Sequence, residues 1–382
     1  GKPVDGHLPA MGGRDLQAYL AAGISTDHEA VTAEEALEKV RCGMRVIIRE
    51  GSAARNLSAL LPAVKAAGSR WFMFGSDDRE AGELLTVGHI DEILRRAVAQ
   101  GCDPFDAVEM ATLNPALHYG LARRGSVAPG YRADLVVVDD LEDFRVRLVI
   151  KDGEVAVREG ALAVEIPAHP PGEGLLRTIR LARELRADDF TLKAGLGAVP
   201  VIGLVPDQII TEKLLLEPGR GENGLIRADP QRDIIKVAVV ERHRRSGRVA
   251  LGLLRGLGLR RGAIASSVAH DSHNIIVAGV SEAAMAAAVN ALSRTGGGFA
   301  VVDQPPAPAV LLPLPVAGLI SPEPAAAVAA ALEKVTAAAH ALGAVPAQPF
   351  LTLSFLALPV IPHLKITDRG LFDVDSFNFI EL

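Results

Sequence analysis

Three short segments near the start of the chain each deliver a side chain able to bind a metal ion. They are Lys2-Pro3-Val4-Asp5-Gly6-His7, Gly23-Ile24-Ser25-Thr26-Asp27-His28-Glu29 and Trp71-Phe72-Met73-Phe74-Gly75-Ser76-Asp77-Asp78. A strand-like run leads into each ligand and a helical pattern follows it. Side chains at the carboxyl ends of successive parallel strands converge on one face of a β/α barrel, where such enzymes place their chemistry. Two imidazoles and a carboxylate gathered there, His7, His28 and Asp77, form a donor set suited to a hydrolytic metal. A lone histidine after a strand is more often a surface or satisfied core residue. Here three suitable ligands stand at equivalent strand ends, and the reading turns on what sequence surrounds them.

The elements that must position these ligands repeat as strand, turn and helix. Gly12-Gly13 precedes a helical Arg14–Ala22, and Ile24–Thr26 is the strand that delivers His28. Thr32-Ala33-Glu34-Glu35 is a capping-box start for a helix running to Cys42-Gly43. Met44–Arg49 is an apolar, β-branched strand followed by a helix from Leu57 to Ala67. Trp71–Gly75 is a fourth strand with His89–Gln100 as its helix, and Phe105–Leu117 adds one more amphipathic helix. Short strands alternating with such helices predict a parallel sheet with right-handed crossovers. Four units make half of an eight-fold barrel, which normally takes about 250 residues. An open half would leave strand edges and an apolar face uncovered. The expectation is a fragment whose first four units lie outside this sequence, in preference to a half-barrel completed by another chain.

The period then changes. Residues 124–139, with Gly125, Pro129 and Gly130 at their turns, read as a β-turn-β run, followed by Arg145–Lys151, the Asp152-Gly153 turn and Glu154–Arg158. A Pro/Gly-rich stretch near Pro167–Gly174 marks a linker. Beyond it, strands (Ile234–Val240, Ile275–Ala278, Phe299–Val302) mix with Ala-rich helices (Glu282–Leu292, Pro324–Leu342). The predicted fold class is therefore α/β: half of a (β/α)8 metal-dependent hydrolase barrel over 1–122, a small β-domain segment over 123–166, and an α+β domain over 167–382.

Composition excludes several alternatives. With 49% apolar and 23% charged residues, the 382-residue chain can bury a large core. A formal charge of -6 gives no electrostatic case for nucleic acid. The basic run Glu241-Arg242-His243-Arg244-Arg245-Ser246-Gly247-Arg248 lacks interleaved aromatics and reads as a solvated loop. Gly296-Gly297-Gly298 has no Lys-Ser/Thr after it and reads as a helix-to-strand turn. Only Cys42 and Cys102 occur, which argues against a disulfide framework and suits a reducing cytoplasm; both are read as packing residues. No signal peptide is visible. The longest uncharged stretch, Gln304 to Glu323, is interrupted by six prolines and reads as non-membrane.

The residues resemble the amidohydrolase superfamily, and within it the bacterial adenine deaminases. His7, His28 and Asp77 match ends of that superfamily's fifth, sixth and eighth strands, and residues 125–135 look like its return into a small β-domain. The narrower likeness lies in VDGH (4–7), STDHE (25–29), IREGSAARN (48–56), GSDDRE (75–80), GHIDEILRRA (88–97), ATLNPALHYGL (111–121), AHDSHNIIVAG (269–279) and LTLSFLALPVIPHLKITDRGLFDV (351–374). It spans nearly the whole chain. The family's His-x-His pair on its first strand and bridging carboxylate on its fourth are not among these residues.

The resemblance implies hydrolysis of adenine to hypoxanthine and ammonia in purine salvage, with a purine base as the small-molecule partner. It implies a binuclear divalent site of Mn, Fe or Zn. It also implies a homo-oligomer without nucleic-acid or membrane partners. His7, His28 and Asp77 would be the metal ligands, and Asp77 and Glu29 the catalytic acid–base groups. Glu50, Ser52, Asp78 and His89 would contact substrate. His270-Asp271-Ser272-His273-Asn274 has metal-like spacing. His270, Asp271 and His273 could close over the site and touch substrate, or satisfy one another in a turn. Two other readings stand beside this one: an amidohydrolase acting on another cyclic amidine or amide, and a non-catalytic remnant or assembly module.

Overall fold

Four strands, β1 (Val4–Gly6), β2 (Ile24–Asp27), β3 (Arg45–Arg49) and β4 (Phe72–Gly75), pair in sequence order, all parallel. Between and after them run α1 (Gly13–Ala21), α2 (Ala33–Arg41), α3 (Leu57–Ala67), α4 (Ala81–Thr86), α5 (Ile90–Ala99), α6 (Pro104–Ala111) and α7 (Leu113–His118). This computed structural model describes residues 2–382 other than 53, 168, 194, 207, 222 and 223. The chain divides into two units, Gly1–Ala168 and His169–Leu382. It is a mixed α/β protein.

Alternation along β3 sets the first unit's layers. Val46 and Ile48 are buried with Phe72, Phe74 and the inner faces of α2, α3, α5 and α6. Each such side chain contributes about 1.5–3 kcal/mol on burial. Arg45, Ile47 and Arg49 point to the other face, because side chains alternate along a strand. Register places Gly6 beside Asp27, and Arg49 beside Gly75. The residues following these strand ends therefore emerge together.

The start of α2 satisfies half of the expected capping box. Thr32 Oγ1 accepts from the Glu35 backbone N–H at 3.2 Å, but Glu35 reaches back to Val31 N rather than to Thr32. The helix expected over Phe105–Leu117 is broken at Thr112, whose φ of −131° leaves the helical region. Pro115 explains the break: it has no N–H to give the Ala111 carbonyl, and its ring would clash there. Beyond the break, Asn114 donates to Ser69 O and Phe72 O at 2.9 and 3.0 Å, which ties α7 to β4. Helix α4 was not anticipated. It is only six residues long and buries none of them, so it carries little hydrophobic periodicity.

A separate antiparallel sheet orders β5 (Leu135–Val138), β6 (Val146–Lys151), β7 (Glu154–Arg158) and β8 (Ala161–Leu162) in sequence. Residues 124–134 form turns rather than the first strand of a β-turn-β run. The Asp152-Gly153 hairpin turn is present, with φ positive at both residues as a type I′ turn requires.

In the second unit, β9 (Leu192–Lys193), β12 (Gly219–Arg220) and β13 (Leu225–Arg227) make a small sheet. The main sheet has eight strands: β10 (Val199–Leu204), β11 (Thr211–Leu216), β14 (Ile235–Val240), β15 (Val249–Arg255), β16 (Ala263–Ser266), β17 (Ile275–Gly279), β18 (Gly298–Val302) and β19 (Val310–Pro313). Only β10–β15 is a parallel pair. Strand β14 is buried on both faces. Ile235, Val237 and Val239 face one core, shared with α9 (Ala325–Ala341), α10 (Pro349–Phe355), β20 (Leu364–Thr367) and β21 (Gly370–Asp373). Ala238 and Val240 face the other, under α8 (Glu282–Thr295). A short β22 (Asn378–Ile380) pairs with β21.

The glycine run performs the expected turn. Gly296 takes a left-handed φ of 81° to end α8, and a Cβ on Gly298 would meet Leu312 O at 1.9 Å. The basic run departs from its expectation. Arg242 is only 1% exposed and Glu241 4%. Arg242 donates to Thr178 Oγ1, Ala317 O and His273 O, and its backbone N–H to Asn274 Oδ1. Burial pushes its guanidinium pKa down to about 10, with no carboxylate paired to it among the described residues. The solvated-loop reading holds for His243–Arg248, which are exposed. Cys102 is partly buried against the first unit's core, whereas Cys42 is exposed rather than packed.

Candidate metal centre

His7 follows β1, and His28-Glu29 follow β2. Pairing of those strands brings the two imidazole rings to 5.5 Å between centroids. Glu29 Oε1 lies 3.2 Å from His7 Nδ1 and 3.3 Å from His28 Nε2. His28 Nδ1 lies 3.0 Å from Asp5 Oδ2. A buried pair holds His7 in place from beneath. Asp27 accepts from the Leu8 backbone N–H at 3.0 Å, while Lys39 Nζ donates to Leu8 O and to Asp27, each at 2.8 Å.

His7, His28 and Glu29 each offer a donor atom within 4.8 Å of the others. His7 Nε2 is buried and has no hydrogen-bond partner among the described residues. Burial opposes charge on His28, but hydrogen bonds and charge from Asp5 and Glu29 outweigh it and raise its pKa to about 10. Burial likewise opposes charge on Glu29, yet its bonds to His28 and His7 and the Arg49 charge hold it at about 2. A divalent cation binding here would take the place of the His28 proton, leaving two neutral imidazoles and a carboxylate, a donor set that fits a metal of the Zn, Mn or Fe kind.

Sequence reasoning missed Arg49. Its side chain is 1% exposed and gathers three carboxylates. Nη1 lies 2.5 Å from Glu29 Oε1 and 2.8 Å from Asp77 Oδ2, and Nη2 lies 2.7 Å from Asp78 Oδ1. The available signal was an arginine closing an otherwise apolar strand, where an unpaired charge would be costly.

The carboxylate that reaches both imidazoles is thus Glu29, while Asp77 is linked to the group through Arg49 and is half exposed. Asp78 is held on the same guanidinium. Glu50 is not at the rim. It is fully buried, accepts from the Leu57 backbone N–H at 3.0 Å and pairs with Arg96. One residue beyond Arg49, it faces the helices instead, where it caps α3. Ser52 Oγ donates to Glu83 at 2.7 Å and accepts from Glu80 N at 3.0 Å. His89 occupies the N-cap position of α5, with Nε2 2.7 Å from Ser76 Oγ.

His270, Asp271 and His273 belong to the second unit. There the turn bonds within itself: His273 N donates to Ala269 O at 2.7 Å, and Ala269 N to His273 Nδ1 at 3.2 Å. The His270 ring packs 4.9 Å from Phe355 and 5.3 Å from His273.

Residues 1–156 match a model described as the amidohydrolase family, and residues 208–378 one described as the adenine deaminase C-terminal domain. Adenine deaminase of Desulfatibacillum aliphaticivorans is 50% identical over 381 residues, covering 100% of this chain and 66% of its own length. Adenine deaminases of Methanothrix thermoacetophila and Brucella suis are 48% and 46% identical, again across 100% of this chain and over 66% and 64% of theirs. The chain belongs to the adenine deaminase family. It spans about 66% of the length of the first of these curated relatives and corresponds to their C-terminal portion. Among solved structures, an amidohydrolase is 22% identical over 42% of this chain and 45% of its own, with a TM-score of 0.33. A β-aspartyl dipeptidase from Fervidobacterium islandicum AW-1 is 17% identical over 43% and 49%, with a TM-score of 0.35.

Proposed function

We propose that this chain is the C-terminal portion of a metal-dependent adenine deaminase that converts adenine and water to hypoxanthine and ammonia. The observation that carries the reading is identity near one residue in two with adenine deaminases along the full chain. The four parallel βα units would be half of a (β/α)8 barrel, completed by the further length those relatives possess. His7 and His28 would hold the metal, with Glu29 as the third donor of this chain. The chemistry a divalent cation supplies at such a site is a water acidified to a near-neutral pKa.

The remaining work falls to this chain's own groups. Asp77, tethered by Arg49 yet half exposed, can take a proton from the attacking water and return it to the leaving nitrogen. Glu29 stays anionic and fixes both imidazoles. Asp78, held on the same guanidinium, is placed to orient the purine edge. The unpaired Cys42 and Cys102 suit a reducing compartment, and we assign the enzyme to the cytoplasm. Among the described residues no helix is long and apolar enough to cross a membrane.

The test is a chimera in which the N-terminal third of the Desulfatibacillum relative precedes this chain. Grown with manganese, it should release ammonia from adenine in a coupled assay and lose that activity on chelation. A folded, metal-loaded chimera with no ammonia release from adenine would overturn the reading.

A further inference from the structure

Away from the imidazole cluster, the second unit carries a groove of about 470 Å³ beside α8. Four arginines line it, Arg180, Arg183, Arg245 and Arg294, against a single acid, Glu184. In a chain of formal charge -6 this is a local reversal of sign. Two of the four already have acidic partners, Arg183 outside the groove and Arg294 within it. Arg183 pairs with Asp189 at 2.7 Å, and Arg294 lies 3.5 Å from Glu184. Among the described residues the side chains of Arg180 and Arg245 have no ion-pair partner, and neither does Ser293 Oγ have a hydrogen-bond partner.

The scaffold behind these side chains is fixed. Glu241 accepts from the backbone N–H groups of His243, Arg244 and Ser246 at 2.6, 2.8 and 3.0 Å, which shapes the loop that presents Arg245. Arg180 N donates to Arg242 O at 2.8 Å, and the buried Arg242 side chain is itself held by three acceptors. On the helix side, Asn290 exchanges two hydrogen bonds with the Leu185 backbone at 2.9 and 3.0 Å. Cations held on pinned backbone need less ordering when a ligand arrives.

We propose that this groove binds a small phosphate monoester bearing a planar or apolar group, of the nucleoside monophosphate class. Guanidinium groups match phosphate oxygens with paired donors. The half-buried Ile179 and Leu181 line the same groove and offer apolar surface for the remainder of the ligand. Its volume lies within the usual range of about 300–1,000 Å³ for small-molecule sites. No aromatic lines it, so it lacks the stacking platforms that single-stranded nucleic acid uses.

Titration calorimetry on the 382-residue chain can decide, with uridine 5′-monophosphate, uridine and inorganic phosphate as probes. A pyrimidine avoids reading the proposed purine site. The monophosphate should bind more tightly than inorganic phosphate, uridine should not bind, and added salt should weaken the interaction. The double variant Arg180→Ala/Arg245→Ala should lose about tenfold or more in affinity. Both positions are exposed, and circular dichroism should show the variant folded. No binding of the monophosphate, equal binding of uridine or of inorganic phosphate, or full affinity in the folded double variant would each overturn the proposal.

Discussion

Arg49 Nη1 and Glu29 Oε1 lie 2.5 Å apart, and that same oxygen is within 3.3 Å of nitrogens on both His7 and His28. One buried guanidinium therefore sets the position of the carboxylate that joins the two imidazoles. Its other contacts carry the arrangement across to β4 through Asp77 and Asp78. The site is a chain of charge pairs running along the strand ends rather than a set of independent ligands.

Replacing Arg49 by Met should destabilise the first unit by about 3–5 kcal/mol, the usual consequence of removing one partner from a buried pair. Urea denaturation of the chain measures this. A loss within about 0.5 kcal/mol, typical of an exposed surface site, would mean that Glu29 and Asp78 find solvent easily and that Arg49 is no hub.

Divalent metal binding should depend on the three clustered donors. His7→Ala, His28→Ala and Glu29→Gln should each weaken Mn²⁺ or Zn²⁺ binding by about 10²-fold or more, since even partners that only orient a ligand cost 10–100-fold. Asp77→Asn should weaken it less, because Asp77 joins the group only through Arg49. Equilibrium dialysis with elemental analysis gives the ranking, and an Asp77 effect equal to that of His28 would make Asp77 a direct ligand.

At Asp77 the effect on turnover should separate from the effect on metal binding. In the active chimera, Asp77→Asn should keep most of the metal yet lower ammonia release by about 10² to 10⁴, the range for a general base. Near-normal turnover would pass the role to Asp78 or Glu29.

Lys365 should make the second unit more stable in mild alkali. Its ammonium is fully buried with the Ile209 carbonyl as acceptor at 2.8 Å, and burial lowers its pKa from 10.5 to about 7. Between those values the unfolded chain binds the extra proton, so stability rises with pH across that window and is lowest below about pH 7. Lys365→Met should be the more stable protein at neutral pH, with its advantage shrinking by about 1.4 kcal/mol per pH unit above that. Parallel urea melts at about pH 7.5 and about pH 9 read the slope. An advantage that does not change with pH would show that the amine stays protonated in the fold.

The sequence by itself determined the order of βα units, the placing of His7 and His28 just past strand ends, and the family. Those features depend on local period, turn chemistry and residue identity, which need no knowledge of partners. Tertiary structure decided the facing of neighbours. Arg49 and Glu50 are adjacent, yet one meets the carboxylates and the other caps α3 beneath Arg96, because helices cover only one side of β3. It also decided that Glu29 reaches the imidazoles, which required the β1–β2 register. Arg242 makes the same point in the second unit. Within a run of basic residues its charge favoured solvent, and only acceptors from Thr178, His273 and Ala317, far away along the chain, make its burial affordable. Composition records that a group is polar; what satisfies it is a property of three dimensions.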